Sequence, residues 1–137
     1  MKQIIWILLI CLPFNLQAAT LEILIHGIKE PKGNLNIGLY NKKEGFLSTQ
    51  KQYKGIYQQI YSNTAKYIFT HIPNGIYAVA IFHDSNINHK LDKNFLGIPK
   101  EGYGVSNNPK SFMKPTFEQC NFRLKKYKKI TIELGYK

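Results

Sequence analysis

Apolar and polar residues alternate with a period of two over much of this chain. Leu21, Ile23 and Ile25, then Leu35, Ile37 and Leu39, then Ile130, Ile132 and Leu134 are each offset by more polar neighbours, the pattern of strands buried on one face. Residues 57–61, 66–70 and 76–83 add three further strands and residues 117–124 a fourth, so the pattern predicts about seven. In the third of these, Tyr77, Val79 and Ile81 fall on one face and Ala78, Ala80 and Phe82 on the other, as in a central strand covered on both sides.

Turn chemistry separates the strands: Pro31-Lys32-Gly33, Lys43-Glu44-Gly45, Asn63-Thr64 and Pro73-Asn74-Gly75. In the last, Asn74 or Gly75 is expected to take a positive φ. No stretch keeps a 3.6-residue apolar period, so helix is expected only as a turn within residues 46–53. Short strands at this spacing predict an all-β fold, a single Greek-key β-sandwich.

The rhythm breaks at residues 84–115, which contain no clean strand. A connection this long in a compact domain is usually functional or disordered. Its apolar content, Phe95, Leu96, Ile98, Tyr103, Val105, Phe112 and Met113, predicts one long ordered loop packed onto the sandwich.

The N-terminus follows a different rule. One positive charge at Lys2 precedes an unbroken apolar run from Ile4 to Leu12, then Pro13 and the small pair Ala18-Ala19. That order predicts a cleaved secretory signal peptide over residues 1–18. The run is too short for a membrane span of about 20 residues, and Ile10 before Cys11 is too bulky for a lipidation signal. Residues 19–137 then form one domain, exported to the periplasm or the medium. Cleavage removes Cys11 and leaves Cys120 alone, expected as a buried small hydrophobe beside Phe122 and Leu124.

Composition sets the class: 44% apolar and 20% charged residues over 137 positions belong to one small globular domain, not a disordered chain. The net charge of +11 rests on lysine, Arg123 being the only arginine. Recognition of phosphates and bases draws on the guanidinium fork, so nucleic acid is not the expected partner. Codon bias in an A/T-rich genome would give the same lysines without a partner. A selected charge would instead face an anionic cell-envelope polymer, a lipid head group or a glycan, with Lys125, Lys126, Lys128 and Lys129 as the densest cluster.

Candidate chemistry is concentrated at the start of the long loop. From Asp84, oxygen-bearing side chains recur at Asn86, Asn88 and Asp92, with Lys90 offering its backbone carbonyl and apolar Leu91 before Asp92. Calcium takes six to eight oxygen ligands, and alternate residues of a tight loop supply them. Asp84 and Asp92 are also the only aspartates in the chain. Two departures weaken the pattern: His89 stands where glycine makes the sharp turn, and Phe95 where a bidentate glutamate belongs. Glu101 is the nearby carboxylate able to serve as an extra ligand. The same residues also build Asx turns without any ion, and both readings stand at this point. His26, His71, His83 and His89 show no repeated zinc-ligand spacing.

No nucleophile elbow, phosphate loop or cysteine motif is present, so a non-enzymatic module is expected. The remaining enzymatic option is a hydrolase pairing Glu101 with Asp84 or Asp92. A further alternative is a carbohydrate or cell-envelope binding module, with Tyr53, Tyr57, Tyr61 and Tyr103 stacking on sugars and lysines contacting anions.

The block from Ile72-Pro73-Asn74-Gly75-Ile76-Tyr77 through Phe82-His83-Asp84, Asn86, Asn88, Leu91-Asp92, Asn94-Phe95-Leu96-Gly97-Ile98-Pro99, Glu101-Gly102-Tyr103-Gly104 and Ser106-Asn107-Asn108 resembles the bacterial exported family known as domain of unknown function 2141. The resemblance covers roughly residues 21–134, and His89 departs from the glycine that family tends to carry. The shorter theme of proline-glycine turn, tyrosine-bearing strand and Asp/Asn loop is similar to prealbumin-like sandwiches of bacterial surface proteins. That similarity implies a prealbumin- or immunoglobulin-like fold more than a function, although several such sandwiches hold calcium at loops of this kind. The family resemblance implies no particular activity.

Overall fold

The computed structural model describes residues 17–111 and 113–136. Eight strands form two sheets, with almost no helix. β1 (Ala18–His26) lies between β4 (Ala65–Pro73) and β8 (Tyr127–Glu133), antiparallel to the first and parallel to the second. The second sheet runs β3 (Lys54–Gln59), β2 (Asn34–Tyr40), β5 (Gly75–Asp84), β6 (Tyr103–Val105). The ten-residue β5 is longer than its neighbours, and two short strands share its second edge. β6 pairs with it from Ala80 to Phe82, and β7 (Phe122–Leu124) from Gly75 to Tyr77.

The period-two pattern becomes the core of a β-sandwich. Leu21, Ile23 and Ile25 of β1 face Leu35, Ile37 and Leu39 of β2, with Val79, Ile81 and Ile132 completing the interior. Each such side chain contributes about 1.5–3 kcal/mol by leaving water. The second face of β5 is covered as well. Ala78, Val105 and Cys120 form a smaller apolar cluster there, packed by Phe46, Leu47, Ala80 and Phe117. Tyr40 and Phe117 each meet Phe46 edge-on, at ring separations of 5.2 and 5.7 Å.

β2 and β3 carry a local arrangement that spacing alone does not announce. Gly38 and Gly55 are directly paired across the two strands, and the Gln52 amide lies over both, where a Cβ on either would collide with it. Its Nε2 donates to the buried Asn36 Oδ1 at 2.8 Å.

Residues 117–124 are not one strand. Thr116 and Gln119 form a reciprocal capping box that nucleates α1 (Phe117–Cys120), and only Phe122–Leu124 remain extended. The loop 84–115 contains β6, fastened by Ser106, whose hydroxyl accepts the Val79 N–H at 2.9 Å and donates to the Cys120 carbonyl at 2.6 Å. Tyr103 and Val105 pack as expected, but Phe95, Leu96, Ile98 and Met113 are exposed. Their sequence neighbours show no strand period to give them an inward face. Phe112 lies outside the described residues. Neither Asn74 nor Gly75 has a positive φ. That conformation falls instead on His71, at φ 57°, where an irregularity interrupts the pairing of β4 with β1.

The turn expected within residues 46–53 is present as a 3₁₀ turn at Thr49–Lys51. Of the expected leader, residues 1–16 lie outside the described residues, and Ala18 is already the first residue of β1. No helix among the described residues is long and apolar enough to cross a membrane.

Candidate functional site

The loop 85–102 leaves the end of β5 and returns beside it. Asp84 is the last residue of a strand paired on β2, so its carboxylate is fully buried, at 0% exposure. Oδ1 accepts the Asn88 N–H at 3.0 Å and Oδ2 the His89 N–H at 2.7 Å. A buried carboxylate is tolerated when backbone donors satisfy it, and these two close the first turn of the loop. Gly33, at φ +75°, packs against the Asp84–Ser85 backbone so closely that no side chain fits.

Asn86, Asn88 and Asp92 converge on one another. Asn86 Nδ2 donates to Asp92 Oδ2 at 2.7 Å, and Asn88 Nδ2 to Asp92 Oδ1 at 2.8 Å. The Asn88 amide first, then Asn86, holds the Asp92 carboxyl below its ordinary range, with Lys100 and Lys90 adding positive potential. Lys90 enters through its backbone, its N–H bound to Asn88 Oδ1 at 3.0 Å.

The sharp turn forms without glycine. Ile87 and His89 take φ of 57° and 62°, the left-handed region that disfavours branched and bulky residues. The His89 ring sits edge-on to Tyr57 with centroids 4.6 Å apart, and Tyr57 in turn contacts Phe82. His89 thus has the backbone expected of a glycine at this position, held by a ring contact that glycine could not make.

Glu101 joins the loop at its base. It is 8% exposed. Oε1 accepts the Ser85 N–H at 3.1 Å and hydroxyl at 3.2 Å, and Oε2 accepts the Asp92 N–H at 3.1 Å. The returning chain brings it there through Lys100 N–H to the Asp92 carbonyl at 2.8 Å and His83 N–H to the Gly102 carbonyl at 2.7 Å. One carboxylate therefore ties both ends of the Ser85–Asp92 segment together. Among the described residues, no three His, Cys, Asp or Glu side chains are grouped to hold a metal. Any cation here draws on the asparagine and backbone oxygens as well.

Beside the loop, on the outer face of the second sheet, lies a groove of about 590 Å³. Tyr40, Ala80 and Phe82 contribute apolar surface, Lys90, Lys93 and Lys114 basic groups, and no carboxylate lines it. Asp84, Asp92 and Glu101 face the loop's own donors and are not among its lining residues.

The other candidates disperse. Tyr61 stands beyond β3 with its hydroxyl on Gln59, Tyr57 is engaged by His89, and Tyr53 leans on Tyr77 at 5.9 Å. Tyr103 lines the groove. In the lysine cluster, Lys129 pairs with Glu22 at 3.7 Å and Lys128 lies over the Phe122 ring, leaving Lys125 and Lys126 exposed at the turn before β8. That turn touches Asn74, at the start of β5. A ten-residue strand at about 3.3 Å per residue separates it from the Asp84 loop by about 30 Å. His83 is buried between the Tyr136 hydroxyl and the Lys32 carbonyl, at 2.9 and 2.8 Å. The Cys120 thiol is buried and, among the described residues, unpaired, and burial pushes its pKa up to about 11.

Residues 23–132 match a family model described as an uncharacterized protein conserved in bacteria, DUF2141. No curated protein and no solved structure matches the chain.

Proposed function

We propose, for a chain that belongs to the uncharacterized bacterial family DUF2141, an exported, non-enzymatic β-sandwich module. In this reading calcium stiffens the Asp84–Asp92 loop, which presents a binding surface beside the groove. The observation that carries the proposal is the convergence of Asn86 and Asn88 on both oxygens of Asp92, one turn from the buried Asp84. Turning the two amides over directs their Oδ1 atoms toward the Asp92 carboxylate, at the cost of the bonds those oxygens now accept from the Lys90 N–H at 3.0 Å and the Asn88 N–H at 3.3 Å. A cation seated between them then replaces two amide donors, with the Lys90 carbonyl as a fifth oxygen and solvent supplying the remainder of the six to eight that calcium takes.

Calcium suits such a site because it accepts oxygen ligands in irregular geometry. With Asp92 as the one carboxylate facing the cation and amide and carbonyl oxygens as the rest, the affinity belongs to the weak range of about 10⁻⁴–10⁻³ M seen in extracellular modules. Glu101 serves as the brace that keeps the loop closed, so its role is positional. A non-enzymatic reading is favoured by the carboxylates themselves, whose oxygens face loop donors and not the groove.

Calorimetric titration of the purified protein with calcium tests the proposal. Heat with a sub-millimolar to millimolar midpoint is expected, at least tenfold weaker in Asp92→Asn, a variant that removes charge with little change of shape. Absence of calcium-specific heat up to about 10 mM, well above the range given for extracellular modules, would overturn it.

A further inference from the structure

The loop's far end carries an apolar surface that the sandwich does not cover. Phe95 is 96% exposed and Leu96 68%, and Met113, on a segment bordering the same groove, is 80% exposed. Large exposed apolar side chains close together mark a binding surface more often than chance. The turn is also tightly built. Asn94 Oδ1 accepts the Leu96 and Ile98 N–H groups at 2.9 and 3.0 Å, and the Asn94 N–H and carbonyl bond Ile98 and Gly97, each at 2.9 Å. Lys93 and Pro99 close it as a bridge, and Gly97 supplies φ +78°. Phe95 and Leu96 are therefore held outward.

Charge identifies the occupant. Lys93 and Lys100 flank this turn, Lys90 and Lys114 line the groove beside it, and all four are exposed. Between Lys90 and Lys114 the carboxylates are Asp92, bound by the Asn86 and Asn88 amides, and Glu101, which is buried and faces inward, so the lysines stay in excess. A second copy would bring lysines against lysines on a chain of net charge +11. An anionic bilayer presents the complementary arrangement, with phosphates for the ammonium groups and an apolar interior for the two tip side chains.

We propose that the Phe95–Leu96 tip docks on a bilayer containing anionic phospholipid, inserting into the headgroup boundary while Lys90, Lys93, Lys100 and Lys114 contact phosphates. Each lysine near such a surface adds roughly fivefold to binding. Among the described residues, the first strand begins at the opposite pole, where Gln17 bonds Asn74, away from the tip. This inference does not depend on calcium.

The test is co-sedimentation of the full chain with vesicles of phosphatidylcholine alone or with 30% phosphatidylglycerol, in EDTA and again in calcium. The paired variant Phe95→Ser/Leu96→Ser carries the same N-terminal residues, so the difference between the two proteins reads the tip. Binding to the anionic vesicles is expected to fall at least tenfold in that variant and in Lys93→Glu/Lys100→Glu, and to weaken in 0.5 M salt. Unchanged melting temperatures confirm that both variants fold, since all four positions are exposed. Equal binding by wild type and the tip variant in both buffers overturns the proposal. So does a wild-type dimer that the tip variant splits, or saturable binding of a free fatty acid at the groove without tip-dependent vesicle binding. The calcium reading is judged by calorimetry and survives or fails separately.

Discussion

Glu101 Oε2 accepts the backbone N–H of Asp92 at 3.1 Å, while Oε1 of the same carboxylate holds Ser85 at the other end of the loop. The Ser85–Asp92 segment is thus closed by a residue beyond it in sequence, and its order depends on one buried side chain. Glu101→Gln keeps the shape but turns one acceptor into a donor facing an N–H. A loss of about 1–3 kcal/mol is expected, read as a lower urea midpoint at unchanged m-value.

Acid should weaken the same loop. Asp92 has its pKa lowered in the folded state, chiefly by Asn88, from an ordinary value of 3.8. Folding therefore favours its ionised form. That contribution is complete above the unfolded value and is lost as pH falls through the lower, folded one. Glu22, held down chiefly by the Tyr127 hydroxyl, and Glu30, by Lys32, act in the same sense. Urea midpoints should decline below about pH 4, and the gap between wild type and Asp92→Asn should narrow over that interval. A gap that stays constant into the acid range would show that the Asp92 charge adds nothing.

His89 separates backbone strain from ring contact. Alanine there keeps the positive φ, costing about 1–2 kcal/mol, and loses the Tyr57 contact, worth about 0.5–1.5 kcal/mol. Glycine loses the contact but removes the strain. His89→Ala should therefore be less stable than His89→Gly by about 1 kcal/mol, measured by denaturant titration of the two variants side by side.

Gln52 and the Gly38–Gly55 pair form a second coupled unit. Gly38→Ala drives a Cβ into the Gln52 amide and frees the buried Asn36 oxygen from its donor, so a loss of about 1–3 kcal/mol is expected. Adding Gln52→Ala removes the collision. The double variant should lose less than the sum of the two single losses, and a double-mutant cycle gives the coupling. Strict additivity would mean that the amide does not sit over the glycines.

Strands buried on one or both faces were legible because each places an unbroken apolar series at period two. Leu21, Ile23 and Ile25 form one such series, and Tyr77, Val79 and Ile81 another. β6 was not, since Tyr103-Gly104-Val105 is too short to show a period and is defined by the edge of β5 that it covers. The α1 turn did leave a signal, Thr116 followed three residues later by Gln119, the side chains of a capping box. The alternation of Cys120, Phe122 and Leu124 outweighed it. The Asp84–Asp92 residues were found from their spacing. The brace by Glu101 depends on the return of the chain along β5, and the outward aim of Phe95 depends on the Asn94 turn. Neither is a property of local composition.

Thermal unfolding of the purified protein in EDTA, in 5 mM magnesium and in 5 mM calcium tests the central claim most directly. For a site of 10⁻⁴–10⁻³ M, 5 mM calcium adds about 1–2 kcal/mol, a rise in melting temperature of about 3–8 °C. The rise should be absent with magnesium and strongly reduced in Asp92→Asn. Identical melting temperatures in all three solutions would contradict the account, leaving a loop ordered by its own hydrogen bonds alone.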